Sequence, residues 1–111
     1  MAKNNALSLK HIASSAIIHP NSTLLANLLD YCISTRSPLA ARSVHERVLK
    51  SNFIHEVFIN NRLIDAYGKC FLLHEACQVF DKMPNKNTFT WNSMINALTT
   101  FKRVDEAEEL F

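Results

Sequence analysis

"VFINNRLIDAYGKCFLLHEACQVFDKMPNKN", residues 57–87, holds two stretches of helical spacing separated by a break. In the first, Val57, Asn60, Leu63, Ile64 and Tyr67 recur at intervals that fit helical faces. In the second, Leu72, Leu73, Ala76, Val79, Phe80 and Met83 form a stripe wide enough to meet neighbours on two sides. Pro84 cannot continue that helix and Asn85 suits the turn after it. A single helix pair cannot bury such a stripe, so copies of the pattern should stack on either side.

Copies are present. "LLDYC" (28–32), "LIDAY" (63–67) and "MINAL" (94–98) align with offsets of 63 − 28 = 35 and 94 − 63 = 31 residues. "AARSVHERV" (40–48), "EACQVFDKM" (75–83) and "EAEELF" (106–111) align Ala41, Ala76 and Ala107, then Val44, Val79 and Leu110, then His45, Phe80 and Phe111, with the same two offsets. Two separate segments sharing one pair of offsets define a repeat. The recurring alanine lets two helices approach closely. Helices are expected near residues 23–34, 38–51, 57–69, 72–83, 88–99 and 103–111, with Ala41, Leu63, Ile64, Ala76, Val79 and Phe80 buried.

Composition agrees with a helical stack. The 111 residues suffice for one small domain, 48% are hydrophobic, and one Gly with three Pro leaves little material for β-turns. The net charge of +2 gives no electrostatic sign of a nucleic-acid partner. Three cysteines without a CxxC pair do not make a disulfide framework and favour a reducing compartment. No apolar run approaches the roughly 20 residues of a membrane span, so no membrane partner is expected. Residues 1–21 carry Lys3 and Lys10, no acid, and frequent Ser and Ala. That composition fits either an organellar transit segment or an ordinary frayed terminus.

Cys70, His74 and Cys77 raise the question of a metal or nucleophile site, but their equivalents in the next unit are Phe101, Asp105 and Glu108. No ligand set recurs, and zinc wants four ligands with tighter cysteine spacing. His45 occupies the place of Phe80 and Phe111, which makes it a core-edge histidine and not a base. The chain also lacks an HxE with CxxC, a Gly-rich phosphate loop and a GxSxG elbow. No catalytic residue, metal, cofactor or small-molecule substrate is expected.

Taken together, these units resemble pentatricopeptide repeats, and more narrowly the plant PLS subfamily, in which long, short and ordinary motifs alternate. Residues 22–56 resemble the long motif through "LLDYC" and "ARSVHERVLKSNF". Residues 57–87 resemble the 31-residue short motif through "NRLIDAYGKC" and "VFDKMPNKN". Residues 88–111 resemble the start of an ordinary motif through "TWNSMI" and "DEAEELF". Phe71 and Asn52 stand where the family usually has Gly. The resemblance implies an all-α fold, a right-handed superhelical solenoid of antiparallel helix pairs.

It also implies sequence-specific binding of single-stranded organellar RNA, about one base per repeat. By position in the motif, Asn61, Asn87 and Asn92 would meet base edges, Phe58 and Phe89 would sandwich bases, and Lys69 would meet phosphate. The Asn61–Asn87 pair is of the kind that favours pyrimidines in ordinary motifs; Ala26 and Glu56 of the long motif are uninformative. Asparagine can pair with a base edge through its donors and acceptor, but it also suits a solvated helix start. The two phenylalanines can stack on bases or pack between repeats. The implied role is an adaptor for organellar RNA processing, above all C-to-U editing, with the chemistry supplied by further C-terminal sequence or by editing factors or a deaminase acting in trans. The mitochondrion is the expected location, with the chloroplast as alternative. A peptide-binding helical-repeat scaffold is the competing class; unit lengths of 35 and 31, not a uniform 34, favour RNA. The third unit extends 111 − 88 + 1 = 24 residues into its motif, so the chain reads as an incomplete array, prone to association and a weak RNA binder alone.

Overall fold

The structure is a computed structural model that describes the backbone of residues 21–110 and the side chains of residues 21–105. The lead assigned to residues 1–21 lies, Asn21 apart, outside the described residues, as do the side chains of Ala107, Leu110 and Phe111. The described residues form five helices and no strand: α1 (Ser22–Thr35), α2 (Pro38–Leu49), α3 (Val57–Lys69), α4 (Leu73–Lys82) and α5 (Thr88–Leu110).

Local chemistry sets the first boundaries. Asn21 caps α1 by accepting the Leu24 N–H at 2.6 Å, and Ser37 caps α2 by accepting the Ala40 N–H at 3.2 Å. Pro38 follows in the first turn, where its missing N–H costs nothing. Arg36 closes α1 in the left-handed region at φ 51°, its N–H reaching the Cys32 carbonyl. At the end of α4, Pro84 forces the preceding Met83 into extended backbone, at φ −72° and ψ 120°.

Packing is centred on α3, which touches each of the other four helices. Its Ile59, Leu63, Ile64 and Ala66 are fully buried, and Tyr67 is nearly so. Burying each large aliphatic chain contributes about 1.5–3 kcal/mol. Leu25, Leu29 and Cys32 of α1 and Ala41, Val44 and Val48 of α2 join the same core. The first helices stack in order, α1 on α3 and α3 on α5, while α2 and α4 cover α3 from a second layer. Tyr67 ties the layers together: its hydroxyl lies 2.7 Å from His45 Nδ1, with the rings edge-to-face. Burial pushes the Tyr67 phenol up to about 12 and, with Lys82 nearby, holds the His45 imidazole below its usual range.

α3 and α5 cross closely because Gly68 faces Ala97. A Cβ built at Gly68 would lie 3.0 Å from the Ala97 Cβ. Two ion pairs also bridge successive units, Arg62–Asp30 at 2.8 Å and Arg42–Glu75 at 3.2 Å. Both are solvent-accessible and contribute at most about 1 kcal/mol each.

Two expectations need correction. The helices expected at 88–99 and 103–111 are one continuous helix, α5. Residues 99–103, Thr-Thr-Phe-Lys-Arg, contain no Gly, Pro, Asn or Asp to interrupt it. The described residues thus hold two helix pairs and one long helix. Phe80, expected in the core, is half-buried. It sits where α4 meets α5, its ring against Trp91 at 4.9 Å and the Lys86 ammonium 4.8 Å from its centre. Of the two residues found in place of Gly, only Phe71 adopts a left-handed conformation, at φ 60°; Asn52 does not.

Candidate nucleic-acid interface

The stacking of α3 on α5 leaves an open groove of about 600 Å³ along their outer edges, lined by Phe58, Asn61, Arg62, Asn87, Phe89 and Asn92 among others. Five of the six residues singled out from the sequence thus share one surface. Phe58 is 47% exposed and Phe89 71% exposed, so each ring keeps surface open to solvent at the groove. Arg62 lies over the Phe58 ring at 5.2 Å while paired with Asp30. Asn92 is exposed at the groove. Lys69 is elsewhere: it lines an adjoining concavity with Arg62, Asp65 and Arg103.

The two neighbouring asparagines of α3 differ in role. Asn60 turns inward and donates to the Ile54 and Glu56 carbonyls at 2.8 and 3.0 Å, tying the preceding turn to the helix. Asn61 is 7% exposed and donates through Nδ2 to Asn87 Oδ1 at 3.1 Å. Thr90, fully buried, gives its hydroxyl proton to Asn61 Oδ1. Its backbone N–H donates to Asn87 Oδ1 at 3.0 Å, and its hydroxyl oxygen accepts the Asn87 backbone N–H at 3.1 Å. Asn87 therefore caps the start of α5 while touching α3.

The sequence reading overlooked Thr90 and the charged rim. Thr90 takes the place of Ile59 one unit earlier, 90 − 59 = 31, so a polar residue at a buried apolar position was the available signal. Arg62 and Asp65 line both concavities. Burial raises the Asp65 carboxyl, opposed by a hydrogen bond from Ser93 and by Arg62 and Lys69. Burial likewise raises the Cys32 and Cys70 thiols, so neither is an activated thiolate. Among the described residues, no three His, Cys, Asp or Glu side chains gather to hold a metal ion.

Stacked helix pairs with a polar groove along the first helices define the class, an all-α helical-repeat solenoid. A family model described as "PPR repeat" matches residues 61–88 and 89–111. The chain is 53% identical over 72 residues to the Arabidopsis thaliana "Pentatricopeptide repeat-containing protein At2g13600", covering 64% of this chain and 10% of that protein. It is 44% identical over 70 residues to "Pentatricopeptide repeat-containing protein At1g59720, chloroplastic/mitochondrial" of the same plant, covering 63% and 11%. It is 38% identical over 94 residues to "Pentatricopeptide repeat-containing protein At3g26630, chloroplastic", again from Arabidopsis thaliana, covering 85% and 21%. Residues 61–111 match the repeat model, and these similarities support a pentatricopeptide-repeat protein. It spans between 10% and 21% of the length of these three relatives.

Proposed function

We propose that this chain belongs to a sequence-specific adaptor for single-stranded RNA, with the α3–α5 groove taking a base between Phe58 and Phe89 and reading its edge with Asn61 and Asn87. The observation that carries this reading is the pairing of two exposed aromatic rings with a fixed amide pair in one groove. Aromatic faces accept any base, at about 1–3 kcal/mol per stack, and amides at the edge add discrimination. Asn92 would take part in reading the following base. Lys69 and Arg103, in the adjoining concavity, extend the path for the phosphate backbone.

In finer terms, we assign the chain to the PLS subfamily, with a long repeat at 22–56, a short repeat at 57–87 and an ordinary repeat from 88. Its role would be to specify C-to-U editing sites in organellar transcripts. No nucleophile or metal site is assigned here, so the chemistry would come from sequence beyond these residues or from a deaminase or editing factor acting in trans. The acid-poor residues 1–21 are consistent with an organellar address. We favour the mitochondrion over the chloroplast.

The test is a titration of the chain with labelled single-stranded RNA, the matching duplex and a panel of extended peptides at low salt. Binding to single strands alone, weakened by Phe58→Ala, supports the reading. Binding to peptides with none to RNA assigns the groove to a protein-interaction scaffold.

A further inference from the structure

We propose that Thr90 is a positioning residue that locks Asn61 and Asn87 so that their free hydrogen-bonding capacity is mainly N–H donors, which then selects a base edge rich in acceptors. The inference rests on the RNA-binding reading above and adds a residue contributed by α5 to the α3 site.

Asparagine amides can usually be turned end for end, but here two backbone N–H groups forbid it. A backbone N–H can only donate. The atom of Asn87 that receives the Thr90 N–H at 3.0 Å must therefore be its oxygen. The Asn61 atom that meets this oxygen at 3.1 Å must then be its nitrogen. The Asn87 backbone N–H uses a lone pair of the Thr90 hydroxyl. The hydroxyl proton has two oxygens in reach, Asn61 Oδ1 and, at 3.1 Å, Asn87 Oδ1. It goes to Asn61, whose oxygen lies closer and would otherwise face the Thr90 oxygen with no proton between them. Asn87 Oδ1 is thereby filled by two donors, and Asn61 Oδ1 is held toward the Thr90 hydroxyl with one lone pair used. What remains for a ligand is one N–H of Asn61, the two of Asn87 and a single lone pair on Asn61 Oδ1.

A donor-rich pair discriminates by the number of acceptors it meets. Both bases carry an amino donor on this edge, but cytosine offers two adjacent acceptors, N3 and O2, where adenine offers only N1. Without the Thr90 hydroxyl, Asn61 Oδ1 loses its partner and the amide can rotate to offer an acceptor instead. Base preference should then fall, while stacking on Phe58 and Phe89 persists.

The experiment uses the full 111-residue chain, labelled with nitrogen-15, and compares it with Thr90→Val and Thr90→Ser. Titrations with cytidine and adenosine pentamers give an affinity ratio in which shared stacking and phosphate contributions largely cancel between variants. Thr90→Val should lower the cytidine-to-adenosine ratio by about fivefold or more, the scale of one edge contact. Thr90→Ser, which keeps the hydroxyl, should hold the ratio within about twofold, far inside that range. An unchanged ratio in a folded Thr90→Val overturns the proposal. Should that variant not fold, the native side-chain amide signals decide: Asn61 and Asn87 must show slowed amide exchange, and rapid averaging overturns the lock. If neither pentamer binds the native chain, the RNA reading fails, and the amide signals still report on the lock separately.

Discussion

Replacing Gly68 by alanine tests whether α3 and α5 stack as described. In an exposed helix this exchange stabilises by about 1 kcal/mol, because glycine is a poor helix former. Here the new Cβ would lie 3.0 Å from the Ala97 Cβ and 3.3 Å from the Ala97 Cα. Carbon atoms prefer about 3.5–4.0 Å, so one backbone must give by several tenths of an ångström. The second contact is with backbone, which no rotamer change can relieve. Overpacking of this kind costs about 1–3 kcal/mol. Set against the propensity gain, the net effect is a loss of up to about 2 kcal/mol. Gly68→Val adds two further carbons with no propensity gain of comparable size, and should cost distinctly more. Urea unfolding followed by circular dichroism measures both. A stabilisation near the full propensity value for Gly68→Ala would mean that the crossing is open in solution, and the stacking of the first helices would be refuted. A Gly68→Ala, Ala97→Gly double variant should recover part of the loss, since contacting residues couple by about 0.5–3 kcal/mol.

Other consequences can be measured on the same protein. Phe71→Gly should be neutral to stabilising by about 1 kcal/mol in urea unfolding, because a left-handed backbone costs a non-glycine residue about 1–2 kcal/mol; removing the packing of a ring 44% exposed offsets part of the gain. The His45 imidazole titrates below its ordinary value of 6.5 because it is buried, with Lys82 adding to the effect. The unfolded chain therefore binds that proton first, so the contribution of neutral His45 is complete above pH 6.5 and is lost as pH falls through the window below it. Urea midpoints across this window should show the decline, and His45→Gln should flatten it. Lys69→Ala should lower the slope of log affinity for RNA against log salt by about 1, with equal losses for all bases. Asp65→Asn should raise RNA affinity without base preference, since it removes a carboxyl from a surface lined by Arg62 and Lys69.

The repeat was legible because its core positions recur. Leu29, Ile64 and the paired alanines Ala41 and Ala76 are all fully buried, as the 35-residue offset required. Boundaries came close wherever a local signal existed, as at Asn21, Ser37 and Pro84. The continuity of α5 was not legible from periodicity, which passes unchanged through a turn when spacing is preserved. Only the absence of a helix-stopping residue between 99 and 103 distinguished the two outcomes. Phe80 stays half-buried because it lies at the seam of α4 and α5, against Trp91 and Lys86, and not at the centre of the stripe as Ala76 and Val79 do. The clustering of Phe58, Asn61, Asn87, Phe89 and Asn92 followed from motif position. The amide orientation did not, because it depends on Thr90, marked in the repeat only as a polar residue in the place of Ile59, and on two backbone N–H groups visible only in three dimensions.

The groove itself is tested most directly by nitrogen-15 NMR of the 111-residue chain titrated with a cytidine pentamer at low salt. Signals from Phe58, Asn61, Asn87, Phe89 and Asn92 should shift together along one binding curve, while those of Cys32, Ala41 and Val48 in the core stay in place. Phe58→Ala combined with Phe89→Ala should abolish the shifts without altering the helical content. Shifts confined to the α2 and α4 surface, or an unchanged curve in the double variant, would contradict the assignment of this groove to RNA.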